Sequence, residues 1–289
     1  MSSDKDALAA PLQSPFFRAL NAPRYERQTE IRQYEEATSR SLIVVHGPIA
    51  QTVITPFADA INDVGRGDPL DLMLTSLGGD GETALRMASM CHGGREDFRI
   101  IVADMAASAA TLLALAAETI VMSDTSALGP IDPQVPLQRR RQYFPAKDIV
   151  AIVEDLEERS KDNPQAFELY ASLLADIDAV IYQTAKAAIR RTEELVPELL
   201  RLRLVPPDTE EINTIAKELQ SHALHSATIG HQQAKELGLP ILYMPGQSDE
   251  WDMLWRLHTR YVALLGAYPN ESVSIEGRRV SFQFNVREP

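Results

Sequence analysis

Short apolar runs alternate with helical segments over the first half of this chain, and the alternation limits the folds that are open to it. Four runs have the β-branched and aliphatic composition of buried strands. They are Ser41–His46, Leu70–Ser76, 99–103 and Thr119–Met122. The segments with helical periodicity between them cover 55–64, 82–90 and 107–117. Strands that alternate with helices through short connections predict an α/β fold with a mostly parallel sheet covered by crossover helices.

The second half of the chain has a different pattern, with long helical segments and few runs typical of strands. Helices are predicted at 147–160, 165–202, 209–219, 231–237 and 249–265. Pro197 interrupts the second of these, and Gly238 closes the fourth. The tail 272–286 alternates apolar and polar residues around Glu276 and Gly277, which is typical of a hairpin. The predicted parts are an N-terminal arm (1–23), an α/β core (24–138), a helical part that completes a site and supplies oligomer contacts (139–265), and a C-terminal hairpin (266–289).

Charge and composition exclude several classes of protein. The chain has 28 Lys plus Arg against 41 Asp plus Glu, a net charge of −13, so general binding of nucleic acid is not expected. The lone Cys91 cannot form an internal disulfide, which fits a reducing compartment. The N-terminal residues do not have the basic and apolar regions of a signal peptide. The longest apolar stretch, 105–117, is shorter than the roughly 20 residues of a membrane span, so we expect a soluble, cytoplasmic protein without a transmembrane segment.

Two adjacent glycines follow the second predicted strand. The sequence Ser76-Leu77-Gly78-Gly79-Asp80 lies where this strand ends and its crossover helix begins, and α/β sheets place their sites at such ends. Because glycine has no Cβ, its backbone can approach a ligand closely and point N–H groups at a developing oxyanion. The two glycines alone are better interpreted as a strand-to-helix turn.

A single hydroxyl follows the third predicted strand. Ser108 opens a helix among small residues, which leave space for a substrate carbonyl to reach its Oγ. The free amides and the positive dipole end of a helix N-terminus favour negative charge. Taken by itself, Ser108 fits a plain helix N-cap. However, consecutive strand ends that carry Gly78-Gly79 and then Ser108 supply what an acyl-transfer site with its own oxyanion hole requires.

Five segments carry a resemblance to a known family. They are 76–79, 108–117, the strand Thr119–Met122, the run Leu128-Gly129-Pro130-Ile131-Asp132-Pro133-Gln134, which is highly specific, and a weaker match at 233–240. These segments resemble the Clp protease and signal peptide peptidase superfamily, and most strongly its serine dehydrogenase proteinase branch. The resemblance implies an α/β Clp/crotonase-like fold of repeated βαβ units with a mainly helical C-terminal part.

The resemblance also implies roles for the residues at the two strand ends. Ser108 would be the nucleophile, and the backbones of Gly79 and Ala109 would hold the oxyanion, with Gly78 making room for it. Clp proteases use a His about one strand beyond the serine, but 126–138 contains no His. A Ser-His-Asp triad of that kind is therefore absent, and the general base must be another residue.

In the signal peptide peptidase branch, the base is a lysine from a later helix. A lysine can accept a proton only where its surroundings favour the uncharged amine. Lys186 is the first candidate, because its one-turn neighbours Tyr182 and Ile189 give it a less charged helix face than other lysines of the helical half have. Lys147 is the alternative, since it opens a helix whose positive dipole end also disfavours the ammonium. The alternative for each lysine is a solvated surface charge, in which case the base is another residue or is absent.

Other polar residues are assigned no catalytic role. Asp132 fits a turn between two prolines better than a contact with substrate. His225 and His231 have no Cys or carboxylate ligands at metal spacing, so no metal site is expected. The cluster 139–141, three consecutive arginines, fits a solvated loop. Ala110 stands where the family pattern usually has Gly, a modest change at an early helical position.

The leading hypothesis is a serine peptidase that cleaves an unfolded protein or peptide with a Ser-Lys dyad and needs no cofactor. The main alternative is a catalytically silent scaffold or peptide-binding member, motivated by Ala110 and by the poor family match around the lysines. A third possibility is crotonase-like chemistry on an acyl-CoA thioester, which should bring a carboxylate pair and a basic rim. The resemblance implies trimer-based rings, and the apolar face of Leu169, Leu173 and Ile177 supports a homo-oligomer.

Overall fold

A central mixed sheet organises the computed structural model, which describes residues 14–137, 142–221, 228–266 and 272–286. The strands are β1 (Ser41–His46), β2 (Leu70–Ser76), β3 (Phe98–Ala106), β4 (Thr119–Met122), β5 (Ala127–Leu128), β6 (Gln134–Leu137), β7 (Gln142–Pro145), β8 (Ile241–Tyr243), β9 (Ser272–Glu276) and β10 (Ser281–Asn285). The helices are α1 (Pro15–Thr38), α2 (Ile54–Asn62), α3 (Gly81–His92), α4 (Ala109–Leu115), α5 (Ala146–Asp162), α6 (Phe167–Leu173), α7 (Ala179–Leu200), α8 (Thr209–Ser221), α9 (His231–Glu236) and α10 (Asp249–Leu265).

The sheet is parallel at its centre, as the alternation of strands and helices predicts. Its order is β10-β9-β1-β2-β3-β4-β8, and β5 pairs with the end of β3. The pairs from β1 to β8 are parallel, whereas β9 joins β1 antiparallel and forms a hairpin with β10. A separate antiparallel ribbon consists of β6 and β7. The α/β class is confirmed, and the predicted hairpin closes one edge of the sheet.

Helices cover both faces of this sheet. Ile43 and Val45 of β1 belong to a buried cluster that includes side chains of α2, α3, α4, α7 and α8. Leu42 and Val44 point the other way, into a cluster with α1 and α10. Because successive strand residues point to opposite faces, a strand covered on both sides is apolar throughout. This explains why β1, β2 and β4 were visible in the sequence with their observed bounds.

The first helix, α1, begins within the predicted N-terminal arm (1–23). Ser14 caps α1 by accepting a hydrogen bond from the Phe17 N–H at 3.1 Å, and Pro15 occupies the first helical turn, where a missing N–H does no harm. Residues 15–23 are therefore helical rather than a loose arm, while 1–13 lie outside the described residues. Pro23 is accommodated inside the helix.

The predicted helix 165–202 is divided in the structure. Asp178 accepts a hydrogen bond of 2.8 Å from the Ile181 N–H and caps the start of α7, so α6 and α7 are separate helices. Pro197, which was expected to interrupt the helix, lies within α7. The predicted division into parts is also not a division of the sheet, because β8 from the helical part pairs with β4.

A buried carboxylate ties the amino ends of the strands together. Asp71 of β2 is fully buried and forms ion pairs with Arg40 at 2.7 Å and with Arg99 at 2.6 Å. The Tyr34 hydroxyl of α1 donates to the same carboxylate at 2.6 Å. Burial raises the pKa of Tyr34, and the charge of Asp71 adds to this shift. A buried charge is tolerated only when it is paired and hydrogen-bonded. Because Tyr34 of α1 belongs to this network, the network fixes the position of α1 on the sheet.

A second buried carboxylate joins the hairpin to both helices of one face. Glu276 at the end of β9 is fully buried and forms an ion pair of 2.7 Å with Arg27 of α1. It also accepts a hydrogen bond of 2.7 Å from the Tyr261 hydroxyl of α10. The position of the hairpin therefore depends on elements from both ends of the chain.

The short helix α6 exposes most of its apolar surface. Phe167, Leu169 and Leu173 have exposed fractions of 63%, 60% and 61%. Ile177, which was predicted to share this surface, is instead partly buried against the cluster of β6, α5 and α7. Within the described residues, no helix combines the length and apolar character that crossing a bilayer requires.

Candidate active site

Ser108 lies at the junction of β3 and α4 in an unusual backbone conformation. Its φ is 52° and its ψ is −118°, a region that residues with a Cβ rarely adopt. The conformation is held by hydrogen bonds from the Ala107 N–H to the Ser76 carbonyl at 3.0 Å and from the Ser108 N–H to the Pro130 carbonyl at 3.1 Å. Surrounding structure that maintains a strained residue is a common property of functional sites.

The hydroxyl of Ser108 is not used to cap the helix. Ser108 occupies the N-cap position of α4, but its side chain makes no capping hydrogen bond. Ser108 is half-buried, and within the described part of the chain its Oγ has no hydrogen-bond partner. The N-cap interpretation therefore does not account for this side chain, and the hydroxyl is available to a ligand.

Gly78 packs directly against Ser108. A Cβ built on Gly78 would lie 2.6 Å from the Ser108 Cβ and 2.8 Å from the Ala107 carbonyl oxygen, and its φ is 110°. Neither the space nor the backbone angle suits another residue. The two strand ends singled out in the sequence are thus in contact, as expected for the carboxyl ends of neighbouring parallel strands.

Two backbone amides near this contact have no protein acceptor in the described residues. They belong to Gly79 and to Ala109, the first residue of α4. The Gly78 N–H differs, because it donates to the Ser76 hydroxyl at 3.0 Å. Ile49 holds the glycine loop in place, since its N–H donates to the Gly78 carbonyl at 2.9 Å. Unpaired amides at a helix N-terminus and a glycine loop are groups that can stabilise an oxyanion.

The specific run 128–134 forms a support for the Ser108 loop. The Gly129 N–H donates to the Ala106 carbonyl at 2.9 Å, and a Cβ on Gly129 would lie 2.5 Å from the Ala107 Cβ. Asp132 is buried and accepts a hydrogen bond of 3.0 Å from the Gln134 amide. After this run, the Ala146 N–H donates to the Pro133 carbonyl at 2.8 Å, which connects the run to the start of α5.

The two candidate lysines lie on α5 and α7. Both are half-buried and flank the cluster that contains Ala146 and Ala185. The Lys186 ammonium is 3.5 Å from the Tyr182 hydroxyl and 5.2 Å from the centre of its ring. This hydroxyl is in turn 3.5 Å from a carboxylate oxygen of Glu154 on α5. Lys147 is the second residue of α5, immediately after the hydrogen bond that joins Ala146 to the run 128–134.

The remaining sequence candidates have structural surroundings or lie outside the described residues. The ring of His231 packs against Tyr243 at a centroid distance of 4.5 Å. His225 and the arginines 139–141 lie outside the described residues. No group of three or more His, Cys, Asp or Glu side chains suited to a metal occurs within the ranges that the structure describes.

A histidine pair behind the glycine loop was not found from the sequence. The rings of His46 and His258 stack at 5.8 Å, and the His258 Nδ1 is 3.4 Å from the Thr75 hydroxyl. Burial, together with the charge of a protonated His258, lowers the pKa of His46 to about 4. Burial also lowers the pKa of His258, although Asp104 opposes this shift. Both rings are therefore neutral at pH 7 and act as packing groups. The two histidines come from opposite ends of the chain, so no local motif could reveal them.

The comparison with family models agrees with this geometry. The model of the ClpP-like SDH-type serine proteinases matches residues 54–248, about two thirds of the chain. The chain belongs to this family. The match includes the glycine loop, Ser108 and the run 128–134, so the superfamily resemblance is confirmed.

Similar proteins are known from sequence and from structure. The uncharacterized protein MJ0137 of Methanocaldococcus jannaschii is 32% identical over 182 residues, 63% of this chain and 56% of its own length. The uncharacterized protein MJ1495 of the same organism is 26% identical over 174 residues, 60% of this chain and 52% of its own length. The chain thus spans little more than half of the length of these curated relatives.

Two solved structures have loosely similar folds. The 1510-N membrane-bound stomatin-specific protease has a TM-score of 0.45 and 14% identity, over 75% of this chain and 82% of that chain. ClpP1 from Listeria monocytogenes has a TM-score of 0.41 and 14% identity, over 78% of this chain and 96% of that chain.

The contact between Gly78 and Ser108 can be tested with a matched pair of glycine variants. Gly78→Ala should lower the free energy of unfolding by about 1–3 kcal/mol more than Gly94→Ala does, because only the first adds a methyl group to occupied space. Gly94 is a suitable control, since its φ of 86° is also positive but no atom of the described residues would lie within 4 Å of a methyl group added there. Denaturant unfolding of both variants measures the difference. Equal losses would mean that the contact tolerates a side chain.

Proposed function

We propose that this member of the family is an active serine peptidase with Ser108 as its nucleophile. The proposal rests on Ser108, whose backbone is held at a positive φ and whose hydroxyl makes no capping hydrogen bond. A base would take the Oγ proton while Oγ bonds to the peptide carbonyl carbon. The N–H groups of Gly79 and Ala109 would hold the resulting oxyanion. The carbon–nitrogen bond then breaks, the amine leaves with the proton, and water hydrolyses the acyl-enzyme.

For the base, the contacts favour Lys147 over Lys186, which reverses the preference drawn from the sequence. One backbone hydrogen bond joins Ser108 to Pro130, and another joins Pro133 to Ala146, the residue before Lys147. The run 128–134 therefore connects the nucleophile with the first turn of α5. The Lys186 ammonium lies against the ring and hydroxyl of Tyr182 on its own helix. We propose a Ser108-Lys147 dyad, with Lys186 as the alternative.

The nucleophile is tested by removing its single oxygen. Ser108→Ala should lower the rate of hydrolysis of labelled casein by at least about a thousandfold, because covalent catalysis is lost. The thermal midpoint should stay nearly unchanged, since the hydroxyl makes no capping hydrogen bond. Ser89→Ala on the exposed side of α3 is the control and should keep full activity.

A serine-directed fluorophosphonate gives a readout of the nucleophile that does not depend on the choice of substrate. It should label the wild type and Ser89→Ala but not Ser108→Ala. Labelling of Ser108→Ala to the wild-type extent would disprove the assignment. Neither labelling nor hydrolysis in the wild type would favour the silent scaffold.

The base is tested by two matched lysine variants. Lys147→Met should lose the hydrolytic activity and remain folded, because methionine keeps an apolar stem but cannot accept a proton. Lys186→Met should stay active and differ little in stability, since the contact with Tyr182 is partly exposed. Initial rates on one peptide substrate, with circular dichroism as the check on folding, distinguish the two. The opposite pattern would make Lys186 the base, and activity in both variants would exclude a lysine dyad.

We also propose a homo-oligomer in which α6 takes part in subunit contacts. Its exposed side chains Phe167, Leu169 and Leu173 form an apolar surface that the described part of the chain does not cover.

Light scattering coupled to gel filtration should give a multiple of the 32.0 kDa chain mass. Leu173→Glu should reduce that mass, whereas Val262→Glu at an exposed position of α10 should not, because only the first places a charge in the proposed contact. A wild-type mass of one chain at micromolar concentration would contradict the proposal.

A further inference from the structure

A buried arginine at the far end of α4 has few protein partners. Arg203 lies in the turn after α7 and is only 7% exposed. Its Nε donates a hydrogen bond of 2.8 Å to the carbonyl of Leu115, the last residue of α4. Its Nη2 is buried and has no hydrogen-bond partner among the described residues. A guanidinium can donate five hydrogen bonds. The described residues accept one from Arg203, the bond to the Leu115 carbonyl.

The charge of Arg203 is also incompletely balanced. Burial lowers its pKa to about 10, and the nearby carboxylate of Glu118 opposes this shift only in part. Glu118 is engaged elsewhere, because its Oε1 accepts a hydrogen bond of 2.8 Å from the Leu204 N–H. The carbonyl groups at the C-terminus of α4 explain the orientation of Nε. They do not bind Nη2, which stays unpaired within the described residues. A buried cation without a hydrogen-bonded anion is costly, so an external anion would be stabilised here.

Arg203 lines a cleft that is large enough for a small ligand. The cleft has a volume of about 510 Å³ and lies between the residues that follow α7, α8 and the end of α9. Val205, Pro206, Ile215 and Leu237 provide apolar lining. Small-molecule sites commonly combine such a lining with one or two polar groups that fix the orientation of the ligand. A carboxylate that carries an apolar side chain matches this combination.

The charges along the cleft restrict the ligand further. Glu210, Glu211 and Glu236 also line it, and all three are exposed. Their carboxylates repel any negative charge of a ligand that lies near them and attract an ammonium group. One carboxylate oxygen of Glu211 is engaged, because it accepts a hydrogen bond of 2.9 Å from the Asp208 N–H. The arrangement fits a zwitterion, with its carboxylate toward Arg203 and its ammonium toward the glutamates.

We propose that this cleft binds an apolar α-amino acid or a short apolar peptide with free termini. Arg203 fixes the carboxylate, the apolar lining holds the side chain, and the exposed glutamates hold the ammonium. The site is at the opposite end of α4 from Ser108, and its ligand binding does not depend on peptidase activity.

Isothermal titration of the full chain with a series of related probes tests the chemistry. Leucine or dileucine should bind, and the one that binds more tightly shows whether the ligand is a free amino acid or a short peptide. Leucinamide, which has no carboxylate, should bind at least about tenfold more weakly, and N-acetylleucine, which has no ammonium, should also be weaker. The absence of binding by both leucine and dileucine would overturn the proposal. Equal binding by leucine and leucinamide would do the same.

Substitutions in and away from the cleft locate the binding. Val205→Asp places a carboxylate beside Arg203 and should weaken binding of the tighter probe by at least about tenfold. Val205 is 84% exposed, so the variant should fold, and Val180→Asp at a site 72% exposed on α7 is the matched control. Arg203→Lys should also weaken binding, because one ammonium cannot replace the forked guanidinium. If Val205→Asp binds as the wild type does, the ligand is not in this cleft.

Discussion

The close approach of two backbone segments, at Gly78 and Ser108, determines the geometry of the candidate active site. A methyl group on Gly78 would lie 2.6 Å from the Ser108 Cβ, and one on Gly129 would lie 2.5 Å from the Ala107 Cβ. Three chain segments therefore meet with no space for a side chain on Gly78 or Gly129. Backbone packed this closely has few alternative arrangements, which is how a strained φ at Ser108 is maintained. The unpaired amides of Gly79 and Ala109 are fixed by the same contacts.

The buried Asp71 network lies at the other end of the sheet. Arg40 precedes β1, and Asp71 and Arg99 are the second residues of β2 and β3, whereas Ser108 follows the end of β3. At about 3.3 Å per strand residue, the Asp71 network is roughly 15–20 Å from the glycine loop. It can hold α1 against the sheet without strongly changing the electrostatics around Ser108. At the carboxyl ends of the strands, the polar groups around Ser108 are instead backbone N–H dipoles, those of Gly79 and Ala109.

The sequence predicted those features that depend on local pattern or on neighbouring strands. β1, β2 and β4 were found with their observed bounds because burial on both faces makes them predominantly apolar. The proximity of Gly78 and Ser108 followed from the rule that parallel strand ends share one edge. The positive φ of Ser108 could not be predicted, since it results from the hydrogen bonds of Ala107 and Ser108 to distant carbonyls. Similarly, neighbours along one helix suggested Lys186, whereas the proposal of Lys147 rests on backbone hydrogen bonds through the run 128–134, which no local sequence pattern reveals.

The pairing of β9 with β1 has a consequence for the order in which the chain can fold during synthesis. Val44, Val45 and His46 are made early, but their partners on one side, Glu276, Ile275 and Ser274, leave the ribosome only after all the described helices. Until then, one edge of β1 has unpaired backbone groups, and such an edge can pair with strands of other chains. The Arg27 guanidinium likewise has no ion pair with Glu276 until that residue has been synthesised. A nascent chain of this protein must therefore pass through a long interval in which its sheet is open on that side, and this is when it is most exposed to aggregation.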